Sequence, residues 1–420
     1  MIKPSLAASV NIATTCLDTE CRTTIASPIY INACGFISAL GSSTKDINQN
    51  LLAGNAPGLI QDNTTLVDHC TTFVGRVTQA LPSIPTGLNL TKSRNNQLAL
   101  AALLPCSDAI NQAKERYGSH RIAVVVGTST SGIDEGGKAI KQYVESGQLP
   151  DNYSYKQQEL GDLAHFIANY FGLDGPAYVI STACSSSGRA FISAQRLLNA
   201  GLVDAVVVGG ADSLCGLTLN GFHALEALSQ KHTQPFGQAR DGINIGEAAA
   251  FMLVSNERNK SSPNIALLGA GESSDAYHIS APHPEGRGAI EAMHKALNSA
   301  GLHPEQVGYI NAHGTATPLN DQVESKAIHH IFADNVPVSS TKRLTGHTLG
   351  AASAVEAAIS YHILRYDLTI PAQSTAYSID QRLPPIQLAK PDIKPRQPII
   401  LSNSFAFGGN NVSLIFGEVS

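Results

Sequence analysis

The run Tyr178-Val-Ile-Ser-Thr-Ala-Cys-Ser-Ser-Ser-Gly-Arg-Ala-Phe191 passes abruptly from apolar and β-branched residues to one cysteine, three serines and a glycine. Small residues around a nucleophilic atom leave room for a ligand or a second backbone. A strand ending near Thr182 and a helix with Phe191, Ala194, Leu197 and Leu198 on one face put the Cys184 sulfur at a helix N-terminus. Unpaired N–H groups and the helix dipole favour an anion there, so the spacing predicts a depressed thiol pKa and a nucleophile. A packed structural thiol is the competing reading of this stretch alone.

Two histidines stand in similar surroundings. His313 closes a strand-like run in Tyr309-Ile-Asn-Ala-His-Gly-Thr-Ala-Thr317, and a glycine follows. His347 follows Gly346 and opens an Ala-rich stretch. A helix N-terminus disfavours a cationic imidazole, so His347 is expected to stay neutral and donate an N–H. The third element is Asn403-Ser-Phe-Ala-Phe-Gly-Gly-Asn-Asn411, whose glycines allow close approach of a ligand and whose N–H groups could build part of an oxyanion hole. A plain glycine turn between two strands explains that segment equally well by itself.

Elements of two kinds must carry these groups. Near-continuous apolar runs predict strands buried on both faces at Ile29–Ala33, Ile122–Gly127, Ala177–Thr182, Ala205–Gly209, Ala250–Ser255, Val307–Asn311, Val336–Ser339, Ile399–Ser402 and Val412–Phe416. Helices are predicted at Asn95–Tyr117, Gly188–Ala200, Gly288–Ala300, Asp321–His330 and Leu349–Tyr366, three of them followed by Gly118, Gly201 and Gly301. The class is α/β with mostly parallel sheets covered by helices. A strand, a turn bearing a reactive group and an Ala-rich helix recur in Tyr178–Ala200 and Val336–Tyr366, which points to two similar halves. The polar segment Asn256–Pro263 is the expected connection, dividing the chain into an extension (1–27), a nucleophile-bearing half (28–262) and a histidine-bearing half (263–420).

Composition narrows the function. Charged residues make up 15% of the 420 and the net charge is −5, which gives no reason to expect a nucleic-acid partner. The seven cysteines, at 16, 21, 34, 70, 106, 184 and 215, show no CxxC pair and no Cys/His group at zinc-ligand spacing, so no metal site is expected. Their scatter fits a reducing cytoplasm. The first residues are broken by Ser, Asn and Thr, and neither a signal peptide nor a membrane span is expected.

Together the stretches resemble the β-ketoacyl-[acyl-carrier-protein] synthases, the elongating condensing enzymes with a thiolase-like fold of two similar halves layered α-β-α-β-α. The motifs are TACSSS (182–187), NAHGTATPLND (311–321) and TKRLTGH (341–347), supported by QPFGQARDGINIGE (234–247), SSDAYHISAP (273–282) and NSFAFGGNN (403–411). The resemblance runs from about Ile29 to the C-terminus. It implies that Cys184 carries the acyl chain and that His313 and His347 hold the malonyl thioester carbonyl during loss of CO2. It further implies that the N–H groups of Cys184 and Phe407 form the oxyanion hole, with Phe407 and Phe405 at the gate. Lys342 would order the electrostatics, accompanied by Glu324. Thr315, Thr317, Ser280 and Thr130 would bind the pantetheine arm or the substrate. No cofactor is implied beyond the 4′-phosphopantetheine arm of a partner acyl carrier protein. A homodimer, or a heterodimer with a chain-length-factor-like subunit, is implied as well.

Departures bear on the acyl preference. GEGA, FGFGGTN, HLLGAAG and GSGIGG of the family read GEAA (246–249), FAFGGNN (405–411), HTLGAAS (347–353) and GTSTSG (127–132) here. They suggest a specialised synthase of aryl-polyene or polyketide-like assembly beside ordinary fatty-acid elongation. A thiolase would need a second cysteine near the C-terminus, and none follows Cys215. A non-catalytic chain-length factor would lack the nucleophile.

Overall fold

The computed structural model describes residues 27–258 and 264–419. The expected extension lies outside these residues but for Ser27, as do the expected boundary at 262/263 and Cys16 and Cys21. The first half runs β1 (Ile29–Ile37), a hairpin of β2 (Leu59–Asp62) and β3 (Thr72–Gly75), β4 (Ile122–Gly127), β5 (Ala177–Ile180), β6 (Ala205–Asp212), the short β7 (Ile245–Gly246) and β8 (Ala248–Ser255). The second runs β9 (Ile265–Ser274), β10 (Tyr309–Asn311), β11 (Pro337–Ser339), the short β12 (Gln387–Leu388), β13 (Ile399–Phe405) and β14 (Asn410–Glu418).

Strand order shows the duplication. It is β1-β8-β6-β4-β5 in one half and β9-β14-β13-β10-β11 in the other. Each set has two antiparallel pairings followed by two parallel ones. The two five-stranded sets are not separate: β1 pairs with β9 at Ile29 and Tyr30, and β12 extends the far edge, giving one sheet of eleven strands. β2, β3 and β7 form a small second sheet.

The helices Ser186–Asn199 and Ala352–Arg365 are the counterparts that follow β5 and β11, and they touch each other and strands of both halves. Ala-rich composition lets them pack closely, and every residue of the second from Ala352 to Leu364 is buried. A central hydrophobic core surrounds the pair, and each half has its own core under outer helices. That arrangement is the layering expected for the thiolase-like fold.

Several expectations need correction. The large sheet is mixed rather than mostly parallel, since β1, β8, β9 and β14 pair antiparallel with their neighbours. β9 carries no clear strand signal, because Gly269 and Gly271 interrupt its apolar pattern. Both are required: a Cβ at either would lie 2.5 or 2.1 Å from carbonyls of the helix Arg287–Ala300. The helix expected over 95–117 breaks at Leu104–Cys106, because Pro105 lacks the N–H that an interior turn needs. Helices Thr44–Ala53, Ile133–Ser146 and Asp162–Phe171 were also not foreseen. Gly201 and Gly301 do close their helices, both at φ 65°. Among the described residues no helix is long and apolar enough to cross a membrane.

Candidate active site

The serines after Cys184 have separate structural duties. Ala183 sits in the left-handed region at φ 53°, a conformation costing roughly 1–2 kcal/mol for a residue with a Cβ. Side chains hold the turn against that cost. Ser186 Oγ accepts the Thr182 N–H at 2.9 Å and donates to the Ala183 carbonyl at 2.5 Å. Ser185 Oγ donates to the Thr182 carbonyl at 2.8 Å. Ser187 Oγ accepts the Ala354 N–H at 3.0 Å, tying this helix to its counterpart. At Gly188 a Cβ would meet Ser353 Oγ at 2.8 Å and Val412 at 2.9 Å. The turn therefore presents the sulfur rigidly, just before the helix Ser186–Asn199.

His313 leaves the end of β10 on a loop clamped by carboxylates of the next helix, Pro318–Phe332. Glu324 accepts the N–H groups of His313 and Gly314 at 2.8 and 2.6 Å. Asp321 accepts that of Ala316 at 3.0 Å, holding Ala316 at φ 65°. His347 lies beyond β11, where Gly346 at φ 70° turns the chain. Its backbone N–H donates to Asn244 O at 2.6 Å, and its Nδ1 accepts the Leu349 N–H at 3.0 Å. An accepting Nδ1 fixes the neutral tautomer with the proton on Nε2.

The three groups converge. Cys184 and both histidines each offer one atom, all within 4.8 Å of one another. The imidazole rings stand edge to face, with centroids 5.3 Å apart. Burial, with the nearby Lys342 ammonium second, holds both imidazoles well below the ordinary histidine pKa, so both are neutral. The thiol departs from expectation. Burial pushes Cys184 up to about 11, although Lys342 and the backbone N–H groups of Phe407 and Cys184 pull the other way. Desolvation outweighs the helix N-terminus because the walls are Phe222, Ile243, Phe405 and Phe407. The two opposing N–H groups are those expected for the oxyanion hole.

A small cavity lies at the convergence point, lined also by Thr315, Thr317 and Asn320. An outer cleft of about 270 Å³ shares Thr317, Asn320, Phe405 and Phe407 with it and adds Ser280, Glu226 and Asp241. Thr315 and Thr317 hydroxyls are 3.0 Å apart at the junction. Phe407 stacks against Phe222, with ring centroids 5.9 Å apart. The cleft, the two threonines and the phenylalanines lie in line from solvent to sulfur.

One expected residue sits elsewhere, and another is at the site with a different duty. Thr130 does not line the cavity: it is fully buried, its hydroxyl donating to Asp212 at 2.7 Å and accepting the Ser213 N–H at 3.0 Å. Glu324 is not the partner of Lys342, since both its oxygens are taken by the His313 loop. The partner is Glu356, and the pair is almost wholly buried. Sequence reasoning missed Glu356, although one carboxylate amid AASAVEAAISY is its signal. It also missed two hydroxyls beside the pair: Ser404 Oγ donates to Glu356 at 3.5 Å and accepts from Ser353 Oγ at 2.6 Å, and Ser353 Oγ lies 3.5 Å from the Cys184 carbonyl.

A nucleophilic thiol, two neutral imidazoles and two converging N–H groups at the junctions of a duplicated sheet define an acyl-transferring condensing enzyme. The β-ketoacyl synthase N-terminal domain matches residues 26–259 and the C-terminal domain residues 265–375. The chain belongs to the β-ketoacyl synthase family. Among solved structures it is similar to the ketosynthase ApeO, determined in complex with its chain length factor ApeC from Xenorhabdus doucetiae, at 51% identity and a TM-score of 0.90 over 94% of this chain and 98% of that one. It is 30% identical to 3-oxoacyl-[acyl-carrier-protein] synthase 2 of Coxiella burnetii over 93% of this chain and 98% of the relative. It is 36% identical to the mitochondrial 3-oxoacyl-[acyl-carrier-protein] synthase of Arabidopsis thaliana over 59% of this chain and 58% of that protein.

Proposed function

We propose that this chain is an elongating ketosynthase, condensing a Cys184-bound acyl group with malonyl-acyl carrier protein to give 3-oxoacyl-acyl carrier protein and CO2. The observation that carries the reading is the pair of neutral imidazoles against one buried thiol, with an apolar gate between it and solvent.

The acyl thioester enters along the cleft on a pantetheine arm of an acyl carrier protein, passing Ser280, Thr317 and Thr315. Cys184 Sγ attacks its carbonyl, and the thiol proton leaves with the pantetheine thiol. The N–H groups of Cys184 and Phe407 hold the oxyanion, a contribution of roughly 2.7–4 kcal/mol per donor in such sites. A malonyl thioester follows. Its carboxylate departs as CO2, and the remaining electron pair forms an enolate whose oxygen is met by the imidazoles. His347 Nε2–H is already oriented for this by the Leu349 amide. The carbanion then attacks the acyl-cysteine, and collapse of that intermediate returns the sulfur. Phe405 and Phe407 keep water from the acyl-enzyme and the enolate. These steps use the chain's own groups, with no cofactor besides the partner's pantetheine.

The pathway proposed is specialised chain assembly of the aryl-polyene or polyketide type, in the cytoplasm, with a chain-length-factor-like subunit as partner. Its supports are the higher identity to a ketosynthase solved with such a subunit and the FAFGGNN departure. The outer edge of β5, half-buried at every residue, and exposed Ile140, Tyr143 and Val144 of the helix Ile133–Ser146 supply apolar surface for a partner. The test is incubation of the chain, with any co-purifying subunit, with acyl- and malonyl-carrier proteins, followed by product mass. A 3-oxoacyl product supports the reading; free acid or no product with every acyl donor overturns it.

A further inference from the structure

A second convergence of reactive groups lies at the surface and shares no residue with the active-site cavity. Asp68, Cys70 and His223 each offer one ligand atom, and the three lie within 4.8 Å of one another. His223 Nε2 is 2.7 Å from Asp68 Oδ2, and the Cys70 N–H donates to Asp68 Oδ1 at 3.0 Å. The Cys70 thiol lies beside the same carboxylate, which pushes its pKa up. Asp68 thus stands beside both a thiol and an imidazole; an ion would displace the thiol proton, while the imidazole would keep its one proton on Nδ1.

The scaffold is fixed before any ion arrives. Asn220, one turn before His223 in the helix Gly216–Ala224, accepts the Val67 N–H at 2.9 Å and donates to the Thr65 carbonyl at 3.1 Å. Between the two ligands of the turn, His69 takes the left-handed conformation at φ 58°, placing Asp68 and Cys70 on the same side. An ion with bonds of about 2.0–2.3 Å holds its tetrahedral ligand atoms roughly 3.3–3.8 Å apart, so closure needs only rotation of half-exposed side chains. No sign of the site exists in the linear spacing, because the fold brings residue 223 to residues 68 and 70.

We infer that Asp68, Cys70 and His223 form a binding site for a borderline-soft divalent cation, Zn2+ being the best match. One thiolate, one imidazole and one carboxylate suit that ion, with the fourth position open to water. The Cys70 proton passes to solvent on binding, and the two anionic ligands neutralise the charge of the ion.

The test uses the full chain carrying Cys184→Ala, which removes the competing thiol–imidazole group of the active site, stripped with chelator and titrated with Zn2+ by calorimetry. One bound ion is expected, with a rise in Tm through linkage. Co2+ in place of Zn2+ should give the sulfur-to-metal charge-transfer band of a thiolate ligand. Adding Cys70→Ser should abolish that band, and adding His223→Gln should weaken Zn2+ binding at least about tenfold. Absence of binding, or binding and band unchanged in both variants, overturns the site.

Discussion

Lys342 and Glu356 form an ion pair at only 2% and 3% exposure, with the Ser404 and Ser353 hydroxyls between it and the backbone of the nucleophile. The Lys342 charge depresses the basicity of His313 and His347 and favours the Cys184 anion, while Glu356 makes its burial tolerable. One cation therefore acts on all three reacting groups, reinforcing burial at the histidines and opposing it at the thiol.

Breaking that pair is expected to be severe. Lys342→Met leaves Glu356 buried without its partner, a loss of about 3–5 kcal/mol, whereas Lys342→Met with Glu356→Leu should recover much of it. Urea unfolding of the three proteins checks this. The single variant should also move the acid limb of the pH–rate profile upward, since the histidines lose a repelling charge. Equal stability of both variants would contradict the pairing.

Cys184→Ala should leave the fold intact and abolish the acyl-enzyme, read as the mass added to the intact chain after exposure to an acyl-carrier thioester. Cys184→Gln should raise malonyl decarboxylation without condensation, its amide occupying the place of the acyl group. Substitution of Cys34 or Cys215 should leave acylation unchanged. An acylated Cys184→Ala chain would place the nucleophile elsewhere.

Phe407→Ala removes the ring that stacks on Phe222 and separates cleft from cavity. The acyl-enzyme of this variant should hydrolyse faster than wild type, measured as the lifetime of the added mass. An unchanged lifetime would deny the ring its water-excluding duty.

Asp162 offers a pH test away from the chemistry. Burial raises its carboxyl to about 7 from 3.8, and Asn96 Nδ2 donates to it at 2.7 Å. Its folded pKa lies above its unfolded value, so its favourable contribution is complete below about pH 4 and is lost as pH rises to 7. Asp162→Asn should therefore gain on wild type across that window, by up to about 4 kcal/mol at pH 8 relative to pH 4. Denaturant unfolding at the two pH values measures it, and an equal difference at both would contradict the burial argument.

The sequence made the reacting groups legible because each sits where a strand ends in small residues: Cys184 after β5, His313 after β10, His347 after β11. The same periodicity exposed most strands, since IAVVVG and DAVVVGG have no other stable use. What it hid depends on contacts made across the fold. The partner of Lys342 could not be chosen between Glu324 and Glu356 without knowing which helix faces the ammonium. Thr130 carried the right position in a motif, yet Asp212 from β6 claims its hydroxyl. The thiol pKa followed burial by four side chains from distant segments, which no local reading of a helix start contains. Asp68, Cys70 and His223 are near one another only after folding.

The central claim is that neutral His313 and His347 serve the enolate rather than the thiol. Acyl transfer to Cys184 and release of labelled CO2 from malonyl-carrier protein can be measured separately in His313→Ala and His347→Ala. Loss of one donor to a developing oxyanion should slow CO2 release on the order of 10²–10³-fold, while acylation survives better on the N–H groups of Cys184 and Phe407. Variants that decarboxylate normally but no longer acylate would contradict the account and make the histidines bases for the thiol.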